Sequence, residues 1–168
     1  MAAASTVLPA WLAALLLLAA AHSAPVLAAR ALGSRWAAPI DGGAILPDGE
    51  RLFGAHKTWR GILASVLLCA LLAGLLGQPV RLGLIFAALA MSADLLTSGV
   101  KRRVHAPVGR EIPLLDQIPE ALLPLLVLHA ALGIGWQTVW LLCGAFLALD
   151  LMVLPLRHRR HPRWRGPT

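Results

Sequence analysis

The chain has 168 residues, of which 58% are apolar and only 14% are charged, and its mean hydropathy is +0.74. This composition excludes an ordinary soluble domain and favours a protein embedded in a bilayer. The net charge of +7 would suit a nucleic acid, but the cations lie between apolar blocks and not on a folded polar surface, so we predict no nucleic-acid partner.

The apolar blocks predict an all-α, polytopic membrane protein, a single domain with about five transmembrane helices, because a spanning helix needs about 20 mostly apolar residues. The first ten residues contain no Lys or Arg, which argues against a cleaved signal peptide and for an uncleaved first helix. Short connections predict that the second and third helices, and the fourth and fifth, are antiparallel neighbours. The predicted spans are residues 9–29, 61–76, 81–98, 118–132 and 136–156.

The distribution of cations predicts the orientation. Of the fifteen Lys and Arg residues, five lie in the loop 30–60, four in the loop 99–117 and five in the tail 157–168. Cytoplasmic loops are enriched in Lys and Arg, so this pattern puts the N-terminus outside and the C-terminus in the cytoplasm. We therefore expect a multi-pass protein of the cytoplasmic membrane with its active site facing the cytoplasm. The basic tail is expected to contact anionic lipid headgroups.

Asp94 is the most informative residue for function. It is an ionisable group inside an apolar stretch, where a carboxylate costs several kcal/mol unless it faces protein, water or a metal. Ser98 and Lys101 follow at four and seven residues, so the three side chains share one helix face. The alternative is a carboxylate neutralised by a structural partner such as Arg102.

The two long loops supply further groups that suit phosphate chemistry. The second loop brings Asp116 to the start of the fourth helix, and two carboxylates beside Lys101 and Arg102 suit Mg²⁺ bound together with phosphates. In the first loop, Lys57 and Arg60 lie between glycines just before a helix, where side chains and backbone N–H groups can bind one phosphate. The alternative is that these cations only set the topology.

Four ordered motifs lie between residues 48 and 117. They are Asp48-Gly49-Glu50-Arg51, His56-Lys57-Thr58-Trp59-Arg60-Gly61, Ser92-Ala93-Asp94 with Ser98-Gly99-Val100-Lys101-Arg102-Arg103, and Pro113-Leu114-Leu115-Asp116-Gln117. In this combination the chain resembles the CDP-archaeol synthase family, a compact relative of the phosphatidate cytidylyltransferases. It departs from the larger enzymes at Ala93, where they have Gly, and at Gln117, where they have Arg.

The resemblance implies a CTP-dependent cytidylyltransferase of phospholipid biosynthesis. Its reaction would convert a lipid phosphate in the membrane, of the archaetidic type or phosphatidic acid, to a CDP-lipid with release of pyrophosphate and with Mg²⁺ as cofactor. By position, Asp94 and Asp116 would hold the metal and act in catalysis together with Lys101. The residues implied to bind CTP and the lipid phosphate are Lys57, Thr58, Trp59, Arg60, Ser98 and Arg102.

The chemistry needs no dedicated nucleophile, because a lipid phosphate oxygen can attack the α-phosphorus of CTP once charges are neutralised and the groups are aligned. His56 and His105 are for this reason not assigned as bases. Asp150 is expected to pair with arginines of the tail. Two non-enzymatic alternatives remain open at this point, a small membrane transporter subunit and a non-catalytic lipid-binding scaffold. The sequence also leaves a homodimer open.

Overall fold

The computed structural model describes residues 8–106 and 112–160, with Pro113 and residues 153–160 as backbone only. Within these ranges the regular structure is helical, and β-pairing is limited to two isolated bridges in the first loop. The all-α prediction with five helices is therefore confirmed. The helices are α1 (Ala10–Leu32), α2 (Trp59–Leu75), α3 (Val80–Arg103), α4 (Pro113–Leu132) and α5 (Trp136–Arg160).

The helices have the length and surface of membrane spans. α1, α3 and the segment Leu114–Leu132 of α4 are long and apolar enough to cross a membrane, and α2 and the segment Trp136–Met152 are shorter apolar helices. On α2 an exposed leucine recurs every four residues, and such an apolar stripe is expected to contact lipid. The chain is a multi-pass membrane protein, whereas its orientation stays a prediction. The stripe consists of Leu63, Leu67, Leu71 and Leu75.

Consecutive helices pack against each other, and α1 also touches α3, α4 and α5. Phe86 of α3 and Leu17 of α1 are fully buried in the shared core. A Cβ atom at Gly83 would lie only 2.2 Å from the backbone oxygen of Cys69. Small residues at helix interfaces allow such close backbone approach in membranes, so Gly83 fixes the spacing of α2 and α3.

The helix boundaries differ from the predicted spans where the chain becomes polar. α3 continues to Arg103 and α4 begins at Pro113, each five residues beyond the predicted limit. The basic last turn of α3 interacts favourably with the negative end of its helix dipole, and proline suits the first position of a helix. As a result Lys101, Arg102 and Asp116 lie on helices and not in a flexible loop.

The loop between α1 and α2, residues 33–58, is organised around Asp41. Its carboxylate is fully shielded from solvent and accepts hydrogen bonds from the Arg51 side chain at 2.5 Å and from the backbone N–H of Gly43, Phe53 and Gly54. The Arg51 guanidinium, helped by these N–H groups, holds the pKa of Asp41 well below its usual range.

The same loop is fixed to the end of α3. Arg103 Nε lies 3.0 Å from Asp48 Oδ2, and Arg103 Nη2 donates a 2.8 Å hydrogen bond to the backbone oxygen of Arg51. Because the loop is ordered by Asp41 and tied down by Arg103, its last residues, including Lys57, have a defined position above the helices.

Candidate active site

The first part of the candidate site is an ion pair between the first loop and α3. Lys57 Nζ donates to Asp94 Oδ2, and the two side chains are only 17% and 22% exposed. The sequence analysis named Arg102 as a possible structural partner of Asp94. In the structure the Asp94 carboxylate pairs with Lys57. The intramembrane acid is thereby neutralised by a residue of the predicted phosphate-binding motif.

The second part is an ion pair between α3 and α4. Lys101 Nζ lies 2.6 Å from Asp116 Oδ1, and the two side chains are 10% and 16% exposed. The other oxygen of Asp116 accepts a 2.9 Å hydrogen bond from the backbone N–H of Ile112. A carboxylate in the first turn of a helix is stabilised by the free N–H groups and the helix dipole. The turn therefore fixes Asp116 beside α3.

Two further predicted residues lie on the inner side of α3. Ser98 and Arg102 are buried, with relative exposures of 1% and 3%. Within residues 8–106 and 112–152, the hydroxyl oxygen of Ser98 is buried without a hydrogen-bond partner. A buried polar atom without a partner is costly, and in native proteins it often marks a site that a ligand or water completes. This observation favours a polar ligand at the end of α3.

A cavity of about 480 Å³ lies beside the Lys57–Asp94 pair, between α1, the first loop, α2 and α3. Its polar wall includes Lys57, Thr58 and Asp94, and the rest of its surface is mostly apolar. Such a two-sided cavity suits a molecule with a charged head and an apolar body. The apolar wall is formed by Pro25, Val26, Ala29, Ile40, Ile62, Met91 and Leu95.

Arg60 and Trp59, which were also predicted to bind substrate, are not both directed into the cavity as Lys57 is. Arg60 lines the cavity, but its Nη1 also donates 2.6 Å hydrogen bonds to the backbone oxygens of Gly33 and Arg35, just after α1. Trp59 is 58% exposed and is not part of the cavity wall. The structure therefore gives Arg60 a role in joining two segments and leaves Trp59 at the surface.

The pKa of His56 is shifted by its burial and by the charged side chains around the cavity. Its ring lines the cavity, and its pKa falls from 6.5 to about 4 because of partial desolvation and the cations Lys57, Lys101 and Arg102, with Asp94 acting in the opposite direction. The imidazole is therefore neutral at neutral pH. The charges that shift the pKa of His56 include members of both lysine–aspartate pairs, Lys57 and Asp94 from one and Lys101 from the other.

The donor atoms suit a hard cation that is shared with a substrate. Among the described residues no group of three or more His, Cys, Asp or Glu side chains could hold a metal ion, so no complete protein cage is present there. Mg²⁺ commonly uses one or two carboxylates and completes its shell with water and substrate phosphates. Asp94 and Asp116 each supply carboxylate oxygens of the kind that Mg²⁺ uses in such a partial set.

A second polar cluster, which the sequence interpretation missed, joins α1, α4 and α5. His22 Nδ1 lies 3.0 Å from Glu120 Oε2, and its Nε2 lies 3.6 Å from Asp150 Oδ1. Gln117 Nε2 donates to the other oxygen of Asp150. The signal that singled out Asp94 applies here as well, since these ionisable residues also fall within or at the edge of apolar spans.

The contact of the basic tail with headgroups was predicted for residues 157–168. Residues 161–168 lie outside the described part of the chain, and residues 157–160 are described as backbone only. Asp150 contacts Gln117 and His22, and the side chains of the tail arginines with which it was expected to pair lie outside the described residues.

Most of the chain matches a known family of membrane enzymes. A family model described as CarS-like, CDP-archaeol synthase, matches residues 7–155. The chain belongs to the CDP-archaeol synthase family. The resemblance carried by the four ordered motifs is thus confirmed, and the chain is an enzyme of the cytidylyltransferase kind, so the transporter alternative is set aside.

Individual members of the CDP-archaeol synthase family cover much of the chain. The CDP-archaeol synthase of Thermococcus kodakarensis is 34% identical in a 149-residue alignment that covers 82% of this chain and 79% of that protein. The CDP-archaeol synthase of Aeropyrum pernix is 39% identical over 104 residues, 58% of this chain and 59% of that protein.

The fold of the family is also represented among solved structures. One described as an intramembrane enzyme for archaeal membrane lipids biosynthesis matches with a TM-score of 0.70 and 32% identity, over 85% of this chain and 91% of that chain. The five-helix arrangement is therefore shared with a membrane-embedded enzyme of lipid synthesis.

Proposed function

We propose that this protein transfers the cytidylyl group of CTP to the phosphate of a membrane lipid and releases pyrophosphate. The observation that carries this proposal is that α3 carries two lysine–aspartate pairs: Lys57–Asp94 lines a cavity with one polar and one apolar wall, and Lys101–Asp116 lies about two helical turns further along the helix. The relatives named above support an ether-linked isoprenoid glycerol phosphate as the lipid.

The cavity is proposed as the lipid phosphate site. Its apolar wall can contact the lipid chains next to the glycerol backbone, while Lys57, Thr58 and Arg60 can bind the phosphate at its polar end. A phosphate monoester is already ionised at neutral pH, so the attacking oxygen needs no base. Binding in the cavity would therefore contribute mainly orientation, which can lower the barrier by several kcal/mol.

The end of α3 is proposed as the nucleotide site. Lys101 and Arg102 can neutralise the charge that develops on the leaving pyrophosphate, and the unpartnered Ser98 hydroxyl can donate to a phosphate oxygen. Asp94 and Asp116 would hold Mg²⁺, which when bound draws charge from the triphosphate and fixes its geometry.

Exchange of partners explains how buried charges can serve a reaction. Without substrates each carboxylate is neutralised by a lysine, which lowers the cost of keeping it in a membrane interior. A metal–nucleotide complex brings a cation for the carboxylates and anionic oxygens for the lysines. Binding can therefore replace the two ion pairs while the carboxylates keep a cation and the lysines keep anionic oxygens as partners.

The positive-inside rule supports a site that faces the cytoplasm, where CTP is synthesised. The first loop and the basic ends of α1 and α3 belong to the end of the bundle that carries the two ion pairs. Cysteine labelling from outside intact cells tests this orientation. A cysteine placed at exposed Ile45 of the first loop should stay unlabelled until the cells are permeabilised, and labelling before that would contradict it.

The activity is tested with purified protein in detergent, labelled CTP, Mg²⁺ and either geranylgeranylated glycerol phosphate or phosphatidic acid. We expect formation of a CDP-lipid and of pyrophosphate with the isoprenoid substrate. Asp94→Asn and Asp116→Asn should each lower turnover at least about a hundredfold, whereas Glu50→Gln, which removes a carboxylate in the first loop, should not. Absence of product with both lipids would refute the proposal and favour a non-catalytic lipid-binding scaffold.

A further inference from the structure

The buried cluster of His22, Glu120, Asp150 and Gln117 has no part in the chemistry described so far. Gln117, Glu120 and Asp150 have relative exposures of only 2%, 5% and 6%. The His22 ring also packs edge-on against Phe146, with ring centroids 5.4 Å apart. Both nitrogens of this imidazole face a carboxylate, one from α4 and one from α5.

The cluster lies where direct packing is sparse. α1 packs broadly on α2, but it meets α4 and α5 over small contacts. Polar groups inside a membrane are costly unless they are paired, and interhelical hydrogen bonds can then hold helices together. His22 therefore closes the bundle by joining its first helix to its last two.

The cluster is also adjacent to the candidate active site. Gln117 directly follows Asp116, and its amide is held by Asp150. Glu120 lies one helical turn after Gln117 on α4. By the helical rise of 1.5 Å per residue, Asp94 and His22 lie about 14 and 15 Å from the ends of α3 and α1, which are comparable depths.

We propose that His22 is a positioning residue for the nucleotide site. Through Asp150 and Gln117, and directly through Glu120, it fixes the first turns of α4 and so holds Asp116 against Lys101. His22 itself contacts no substrate; it sets where the Asp116 carboxylate is found when Mg²⁺ and CTP bind. This inference rests on the proposed function, since it assigns Asp116 to the metal–nucleotide complex.

The test compares His22→Phe, which keeps an aromatic ring against Phe146 but removes both polar contacts, with His22→Gln, which keeps one amide. Ser23→Ala is the matched control, because among the described residues the Ser23 hydroxyl donates to the backbone oxygen of Ala19 in its own helix. Three quantities are measured for each protein: equilibrium binding of CTP in the presence of Mg²⁺, the half-saturating Mg²⁺ concentration for turnover, and the thermal unfolding temperature.

For His22→Phe we expect binding of CTP with Mg²⁺ to weaken about three- to twentyfold, the range that single interhelical hydrogen bonds of membrane proteins span. His22→Gln should be affected less and Ser23→Ala not at all. In an Asp116→Asn background, His22→Phe should change binding less than twofold, because the carboxylate that it positions is already lost.

A lower unfolding temperature with unchanged CTP binding and unchanged Mg²⁺ dependence would show a purely structural role and overturn the inference. Equal losses from His22→Phe with and without Asp116→Asn would overturn it as well. If His22→Phe does not fold, His22→Gln and Asp150→Asn are judged by the same criteria. Wild-type protein that forms no CDP-lipid refutes the proposed function and this inference together, whereas active wild-type protein with unaffected variants refutes the positioning role alone.

Discussion

The Lys57–Asp94 pair can be tested with a double-mutant cycle that separates charge neutralisation from ligand binding. Lys57→Met, Asp94→Asn and the double variant remove one or both charges with little change of volume. Because the side chains are only 17% and 22% exposed, we expect the pair to behave as a charge-assisted hydrogen bond. Such bonds contribute about 1.5–3 kcal/mol, so the coupling energy in the free energy of unfolding should fall in this range.

The control cycle uses the pair between Glu50 of the first loop and His105, which lies just after the end of α3. Its atoms lie 3.5 Å apart and its side chains are 34% and 66% exposed, so its coupling should stay below about 0.5 kcal/mol. Chemical unfolding in detergent measures both cycles. A Lys57–Asp94 coupling as small as that of the control would show that the buried pair is not formed in the protein.

Turnover of the double variant gives the sharper result. If Asp94 only neutralises Lys57, removing both charges should restore much of the activity that either single variant loses. If Asp94 is a metal ligand, the double variant should remain at least about a hundredfold below wild type, because stability is recovered but the ligand is not. Recovery of turnover in the double variant would refute the assignment of Asp94 as a ligand.

Three further outcomes follow from the structure. Gly83→Ala should lower the free energy of unfolding by about 1–3 kcal/mol, because the added methyl group overpacks against α2. The control Gly144→Ala, whose Cβ would meet nothing within 4 Å, should be neutral or stabilising. Equal unfolding temperatures of the two variants would contradict the close approach of α2 and α3. His56→Gln should remove a loss of stability between pH 6.5 and about 4, because only the unfolded state binds the imidazole proton in that window; an unchanged pH profile of unfolding would argue against a depressed pKa. Arg60→Lys keeps the charge but loses the two carbonyl contacts beyond α1, so unfolding should require about 1–3 kcal/mol less; a variant as stable as wild type would limit Arg60 to ligand binding.

Much of the fold was predictable because membrane helices are long, apolar and separated by polar loops. Helix number and type follow from this pattern alone. The ends of α3 and α4 did not, because hydropathy marks where a chain leaves the bilayer and not where its helix stops. Lys101 and Asp116 were therefore singled out by the sequence but lay beyond the ends of the predicted spans, whereas the structure includes both in helices that hold them close together.

The candidate site was predictable only in part. Asp94 stands out as a charge in an apolar stretch, but its pairing with Lys57 depends on how a 26-residue loop folds around Asp41, which no local pattern specifies. The cluster around His22 was missed for a related reason. His22 and Glu120 are 98 residues apart along the chain, and Glu120 and Asp150 are 30 residues apart. Their contact depends on how each helix is rotated about its axis, which the sequence pattern does not specify.

The order of the charged partners along the chain bears on how the protein is made. In the three sets of interior ion pairs that the described residues form, the basic residue precedes the acidic one in the sequence. An acid that entered the bilayer without its partner would cost about 2.5–3.5 kcal/mol at the centre of a helix. During synthesis each of these carboxylates emerges when its counterion is already present, so helices can be inserted one after another without a stage at which an acid lacks a base. The pairs are Lys57 with Asp94, Lys101 with Asp116, and His22 with both Glu120 and Asp150.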